Sequence, residues 1–186
     1  MQAIDTIPPS ANLPASLSDG DILLRRMQEA DLEQVQAIDR LSFSLPWPAK
    51  AYRFELTQNP NSVQWVAESL LPDQPGRVLG MIVIWHILDE AHIATLAVHP
   101  EARGRGIARG LLAIALIEAI QRGASLATLE VRAGNQAAQK LYNRFGFKIV
   151  GQRPHYYKDN NEDALIMTRD NLGPDTLQWL EKWKTG

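Results

Sequence analysis

Eight consecutive residues concentrate the chemistry of this chain: Arg103-Gly104-Arg105-Gly106-Ile107-Ala108-Arg109-Gly110. Gly104, Gly106 and the small Ala108 let backbone N–H groups approach an anion closely, and a helix opening here adds unpaired donors and a partial positive charge. Arg103, Arg105 and Arg109 add full charges suited to oxygen anions. The ligand this favours is a phosphate, although two common nucleotide motifs are excluded by residue type. A P-loop requires Gly-Lys-Ser/Thr after its glycines, and a dinucleotide fingerprint requires glycine where Arg109 stands. Competing chemistries are few. The chain has no cysteine, which removes thiolate nucleophiles, disulfides and Cys-based metal sites and suits a cytoplasmic protein. His86, His92, His99 and His155 show no i,i+4 pairing, so no metal is expected. With 19 basic against 21 acidic side chains the formal net charge is -2, so any charged ligand must be met locally. An arginine cluster confined to one loop, without interleaved aromatics, does not describe a nucleic-acid surface.

The elements that position this loop follow from periodicity and breakers. Three β-rich runs precede it, Trp65–Ala67, Val78–Leu88 and Ala91–Val98, separated by the loop Pro72–Gly76 and the polar pair Asp89-Glu90. They read as an antiparallel meander. A long helix follows from Arg105 to Arg122, ended by Gly123. Ala127–Arg132 is a strand, Asn135 caps a helix running to Phe145, and Phe147–Val150 with Ala164–Thr168 supply the last strands. Upstream, order begins at Ile22-Leu23-Leu24. Asp31 and Gln34 have capping-box spacing before a helix whose Leu32, Val35, Ile38 and Leu41 form one inward stripe. A second short helix starts near Pro48, carries Tyr52 and Leu56, and stops at Asn59-Pro60. The expected fold is a single α+β domain with a mixed, mostly antiparallel central sheet flanked by helices. Residues 1–20, with Pro8, Pro9 and Pro14, read as a flexible leader. Residues 170–186 form an extension in which Leu177, Leu180 and Trp183 mark an amphipathic helix over Pro174–Lys184. The longest apolar run, Leu111 to Ile117, is far short of the ~20 residues that cross a bilayer, so no membrane partner is expected.

Two blocks carry a family resemblance. Arg103, Gly106 and Ala108 meet the pattern Arg/Gln-x-x-Gly-x-Gly/Ala after Thr95-Leu96-Ala97-Val98-His99-Pro100. This segment resembles the acyl-CoA-binding segment of the GNAT acetyltransferase superfamily. Asn135-Gln136-Ala137-Ala138-Gln139-Lys140-Leu141-Tyr142-Asn143-Arg144-Phe145-Gly146-Phe147 is similar to that superfamily's Asn-x-x-Ala-x-x-Leu-Tyr-x-x-x-Gly-Phe block. The resemblance covers residues 21–169. Within the superfamily, four stretches resemble the ribosomal-protein-alanine N-acetyltransferases (RimI-type): Ser44-Leu45-Pro46-Trp47, Leu88-Asp89-Glu90-Ala91, Leu129-Glu130-Val131-Arg132, and Tyr156-Tyr157 followed by Glu162–Met167. Lys158 departs from the pattern, which has proline after the paired tyrosines.

The resemblance implies the GNAT fold, acetyl-CoA as co-substrate without a metal, and an acceptor that is the N-terminal tail of a protein, its terminal alanine in a small-subunit ribosomal protein. It assigns the co-substrate to Leu96, Ala97 and Val98 through backbone groups, to Arg103, Gly104, Arg105, Gly106, Ile107, Ala108 and Arg109, and to Asn135. Glu130 is the implied base and Tyr142 the implied acid. Alternation along the strand puts the Glu130 carboxylate on the face opposite Leu129 and Val131, where it serves as base, points to solvent or pairs with Arg132. Tyr142 lies about two helical turns after Asn135 and either approaches the CoA sulfur or packs in the core. Trp47 either frames the acceptor groove with Tyr156-Tyr157 or plugs the core. The acidic residues Asp89, Glu90, Glu162 and Asp163 either greet a basic tail or are merely solvated. Lysine or small-molecule amines as acceptors, and a silent acyl-CoA-binding module, remain as alternatives.

Overall fold

The computed structural model describes residues 15–16 and 20–181. The other residues of the expected leader, and Trp183 of the expected C-terminal helix, lie outside the described residues. The strands are β1 (Ala15–Ser16), β2 (Ile22–Arg26), β3 (Ser62–Ser69), β4 (Val78–Ile87), β5 (Glu90–Val98), β6 (Leu126–Arg132), β7 (Lys148–Tyr157) and β8 (Glu162–Arg169). They form one sheet in the order β1-β2-β3-β4-β5-β6-β8-β7, seven full strands with the two-residue β1 on one edge. Among the described strands only β5 and β6 run parallel, and a parallel pair needs a crossover connection. Helix α3 (Ile107–Gln121) supplies it.

The sheet buries both faces. On one side α3, α4 (Gln136–Arg144) and α5 (Pro174–Glu181) cover a core built from Leu79, Ile82, Ile84, Ala91, Ile93, Leu129 and Val131. On the other, α1 (Leu32–Ser42) and α2 (Ala51–Thr57) cover Val66, Val78, Met81, Val83 and Ala97. This two-sided covering is why β4 reads as a continuous apolar run. Helix α3 is apolar nearly all round, and its one buried carboxylate, Glu118, is held by Arg26, by Arg122 at 2.8 Å and by the Trp65 indole at 2.8 Å.

Three expectations change. The capping box forms one turn earlier than Asp31–Gln34: the Asp31 carboxylate accepts Gln28 N–H at 2.8 Å, while Gln34 ties down Val78 N–H at 2.9 Å. Leu41 is 56% exposed rather than buried. Each i+3 step lags a 3.6-residue turn by about 60°, so three steps from Leu32 carry Leu41 to the opposite side of the helix. Finally, β7 extends to Tyr157, because irregular pairing at Ile149/Gly151 and Arg153/Tyr157 lets it continue past Gly151 and Pro154.

Candidate active site

After β5 and a single helical turn at Pro100–Ala102, the loop Arg103–Gly106 leads into α3, and two of its residues need a left-handed backbone. Gly104 has φ 81° and Gly106, the residue before the helix, φ 78°. A Cβ on Gly104 would meet nothing within 4 Å, whereas one on Gly106 would meet the Arg109 guanidinium at 3.2 Å. The first intrahelical bond runs from Gly110 N–H to Gly106 O at 3.0 Å. The N–H groups of Ile107, Ala108 and Arg109 therefore precede the helical ladder and point out of its N-terminus, the arrangement that receives an anion. Gly80 on β4 sets how close this helix start comes to the sheet, since a Cβ there would lie 2.9 Å from Ile107 Cγ2 and 3.0 Å from Ala97 O.

A bulge in β5 opens the sheet beside this loop. Val83 opposes Thr95 and Ile84 opposes Ile93, so Ala94 is an extra residue without a partner across the pair. It reverses the alternation of β5: Ala91 and Ile93 face α3 before it, Leu96 and Val98 after it. The parallel ladder to β6 ends at the same point, with Ile93 opposite Leu129. From Ala94 onward β5 pairs with β4 alone, leaving its other edge, including Leu96–Val98, turned toward the split from β6.

A cavity of about 570 Å³ occupies that split. Leu96, Ala97 and Val98 line it from β5; Arg103, Gly104, Gly106, Ile107, Ala108 and Arg109 from the loop and helix start; Asn135 and Tyr142 from α4. Arg105 alone among the expected phosphate-site residues is outside this lining and is exposed. Ser42 and Phe43, at the end of α1, complete the wall. Phe43 packs with the core on the α1 face and Tyr142 with the core on the α3 face, so the cavity passes through the sheet.

Asn135 caps α4 by accepting Ala138 N–H at 3.1 Å. Tyr142 is 7% exposed, edge-on to Phe147 at 5.8 Å. Burial holds its phenol well above the usual tyrosine range, so it stays protonated at neutral pH. Glu130 lies outside the cavity lining, on the α1 face opposite Leu129 and Val131. Its carboxylate is 3.4 Å from His92 Nε2 and 3.2 Å from Arg153, and it does not pair with Arg132. His92 Nδ1 is 2.9 Å from Thr128 Oγ1, and its ring stacks on Trp85 at 5.5 Å. Trp85 stacks on Trp47 at 6.3 Å, and Trp47 on Tyr52 at 5.1 Å. The Asp39 carboxylate fixes this end by accepting Trp47 N–H at 2.7 Å and Tyr52 O–H at 2.8 Å.

Sequence reasoning missed His92, Arg153, Ser42 and Phe43. The register that places His92 opposite Thr128, beside Glu130, has no local signal. Phe43 did leave one, since it begins the Phe-Ser-Leu-Pro-Trp break.

A free helix N-terminus beside strands parted at a bulge suits a ligand that carries a phosphate and an extended arm. The acetyltransferase (GNAT) family pattern matches residues 32–147, and the chain belongs to that family. It is an acetyl-CoA-dependent N-acetyltransferase. It is 37% identical over 144 residues to a Bacillus subtilis (strain 168) protein whose name, [ribosomal protein bS18]-alanine N-acetyltransferase, is itself provisional, covering 77% of this chain and 92% of that one. Among solved structures, the ribosomal-protein-S18-alanine N-acetyltransferase from Escherichia coli superposes with TM-score 0.72 at 29% identity, covering 81% of this chain and 94% of that one. The NatC complex bound to Gag peptide and CoA gives TM-score 0.72 at 25% identity, covering 81% of this chain and 98% of that one.

Proposed function

We propose that this enzyme acetylates the N-terminal α-amine of a protein in the cytoplasm, the terminal alanine of a small-subunit ribosomal protein being its acceptor. The observation that supports this most is the cavity through the sheet: a phosphate-binding loop on the α3 face, and Glu130 on the α1 face. The pyrophosphate rests on the loop Arg103–Gly106 and the N–H groups of Ile107 to Arg109. The pantetheine arm follows the free edge of Leu96–Val98 into the split. Glu130, held by His92 and Arg153, takes a proton from the acceptor ammonium. The neutral amine attacks the acetyl carbonyl, whose oxygen gathers charge against backbone N–H groups of β5. The C–S bond breaks as Tyr142 gives its proton to the departing thiolate, and the second proton shed by the amine nitrogen returns through solvent to the Tyr142 oxygen. The acetyltransferase unit is 21–169, with 170–186 appended and α5 packed on α3. The test is competition among Ala-, Ser- and Met-starting peptides, lysine peptides with blocked termini and polyamines, read by mass spectrometry. Acetylation of the Ala-starting terminus first is expected; modification of lysines or polyamines alone overturns the reading.

A further inference from the structure

The last residue of β6, Arg132, binds two segments distant in sequence. Its Nη2 donates to both carboxylate oxygens of Asp159 at 2.9 and 3.0 Å and to Ser44 Oγ at 3.1 Å. Its Nη1 donates to Glu162 Oε2 and Asn160 Oδ1, each at 3.1 Å. The Ser44 hydroxyl also donates to Asp159 directly, and the guanidinium carbon lies over the Tyr157 ring, 3.8 Å from its centroid. Glu162 is anchored from beneath by Gly134 N–H at 2.6 Å, and a Cβ at Gly134 would stand 2.7 Å from that carboxylate oxygen. A planar fork reaching five oxygens on four side chains while lying over an aromatic face is a use that lysine cannot reproduce.

The joined segments are the loop after α1, containing Ser44, and the β7–β8 turn, containing Asp159 and Asn160. Arg132 follows Glu130 by two residues, so it projects from the same face about 7 Å further along the strand. We propose that Arg132 is a positioning residue, a latch that ties the Ser44 loop to the β7–β8 turn and fixes the width of the groove through which the acceptor's chain end reaches Glu130. This rests on the acceptor reading given above. The latch pairs one cation with two carboxylates and Lys158 in the same turn balances the second, so the lip acts on the acceptor through its shape.

Steady-state kinetics of Arg132→Ala with an Ala-starting peptide, calorimetric titration of acetyl-CoA and thermal melting test it. The peptide KM is expected to rise roughly tenfold, the scale of losing charge-assisted hydrogen bonds, with kcat within about threefold and acetyl-CoA affinity within about twofold of wild type. Arg132→Lys keeps the charge without the fork and is expected to recover less than half of the loss. An unmoved peptide KM, or an equal loss of acetyl-CoA affinity, overturns the latch. Should Arg132→Ala fail to fold, Ser44→Ala and Asp159→Asn carry the same test from exposed loop positions, and an unchanged KM in both overturns it. If wild-type enzyme acetylates no peptide terminus, the acceptor reading is what fails; peptide acetylation with the variants' KM unmoved sinks the latch alone.

Discussion

Replacing Glu130 with glutamine keeps the volume and removes the charge, which isolates the proposed base. Stability should change little, because the carboxylate pairs with His92 and Arg153 at sites 21% and 53% exposed, and such pairs contribute at most about 1 kcal/mol each. Turnover should fall much further. Loss of a positioned base costs on the order of a hundredfold, about 2.7 kcal/mol in the barrier. The deficit should also depend on pH in one direction. An N-terminal amine of pKa ~7.8 is about 2% neutral at pH 6 and about 94% neutral at pH 9. A base whose task is to deprotonate the ammonium is needed most at pH 6, so the wild-type to Glu130→Gln ratio of turnover should shrink as pH rises. The chain contains no cysteine, so released CoA can be followed continuously with a thiol reagent free of protein background. Turnover within threefold of wild type at pH 6, or a ratio that stays flat to pH 9, would refute the assignment of Glu130.

Other perturbations separate the remaining roles. Tyr142→Phe should lower kcat ten- to hundredfold while melting temperature and acetyl-CoA affinity, by thermal scan and calorimetry, stay near wild type. Arg103→Ala should weaken acetyl-CoA binding several-fold, whereas Arg105→Ala, outside the cavity lining, should leave it within about twofold by the same titration. Trp47→Ala removes one member of the aromatic column and should cost about 2–3 kcal/mol in denaturant unfolding, lowering kcat as well as raising peptide KM. Asp159 is held below the usual carboxylate range by the Ser44 hydroxyl and then Arg132; Glu162 by Asn160, Gly134 N–H and Arg132. Depressed acids stabilise the fold above their unfolded pKa and lose that contribution as pH falls through the folded one. The melting difference between wild type and Asp159→Asn should therefore be constant from pH 6 to 9 and vanish on acidification below about pH 4.

Signals that sit within one turn of sequence were legible. Asn135 accepts the N–H it is expected to cap, Gly123 follows the helix it is expected to end, and the alternation of Leu129, Glu130 and Val131 places the carboxylate on the face observed. Hidden features depended on partners far along the chain. Ala94 is an ordinary small residue until β4 is laid beside it, and only then does the bulge that splits the sheet exist. Arg105 carries the same charge as Arg103, and no pattern of residue types distinguishes the one that lines the cavity from the one that does not.

Trp47 packs in the core on the α1 face, and that packing reaches the proposed base. It stacks on Tyr52 and Trp85, and Trp85 stacks on His92, whose other side meets Glu130. Burial pushes the Asp39 carboxyl up, while its bonds from Tyr52 and Trp47 favour the charged form and fix the column at its far end. Rings in contact have few rotamers to exchange, so the imidazole presented to Glu130 is restrained by packing that begins in the α1–α2 loop. That loop also carries Ser44, which Arg132 ties to the β7–β8 turn. The acceptor's entrance and the proposed base are thereby set by one segment from two sides: the column fixes where Glu130's neighbour stands, and the latch fixes how the entrance opens onto it. Core packing of this kind keeps its shape without a bound acceptor, and a preformed entrance spends little binding energy on ordering.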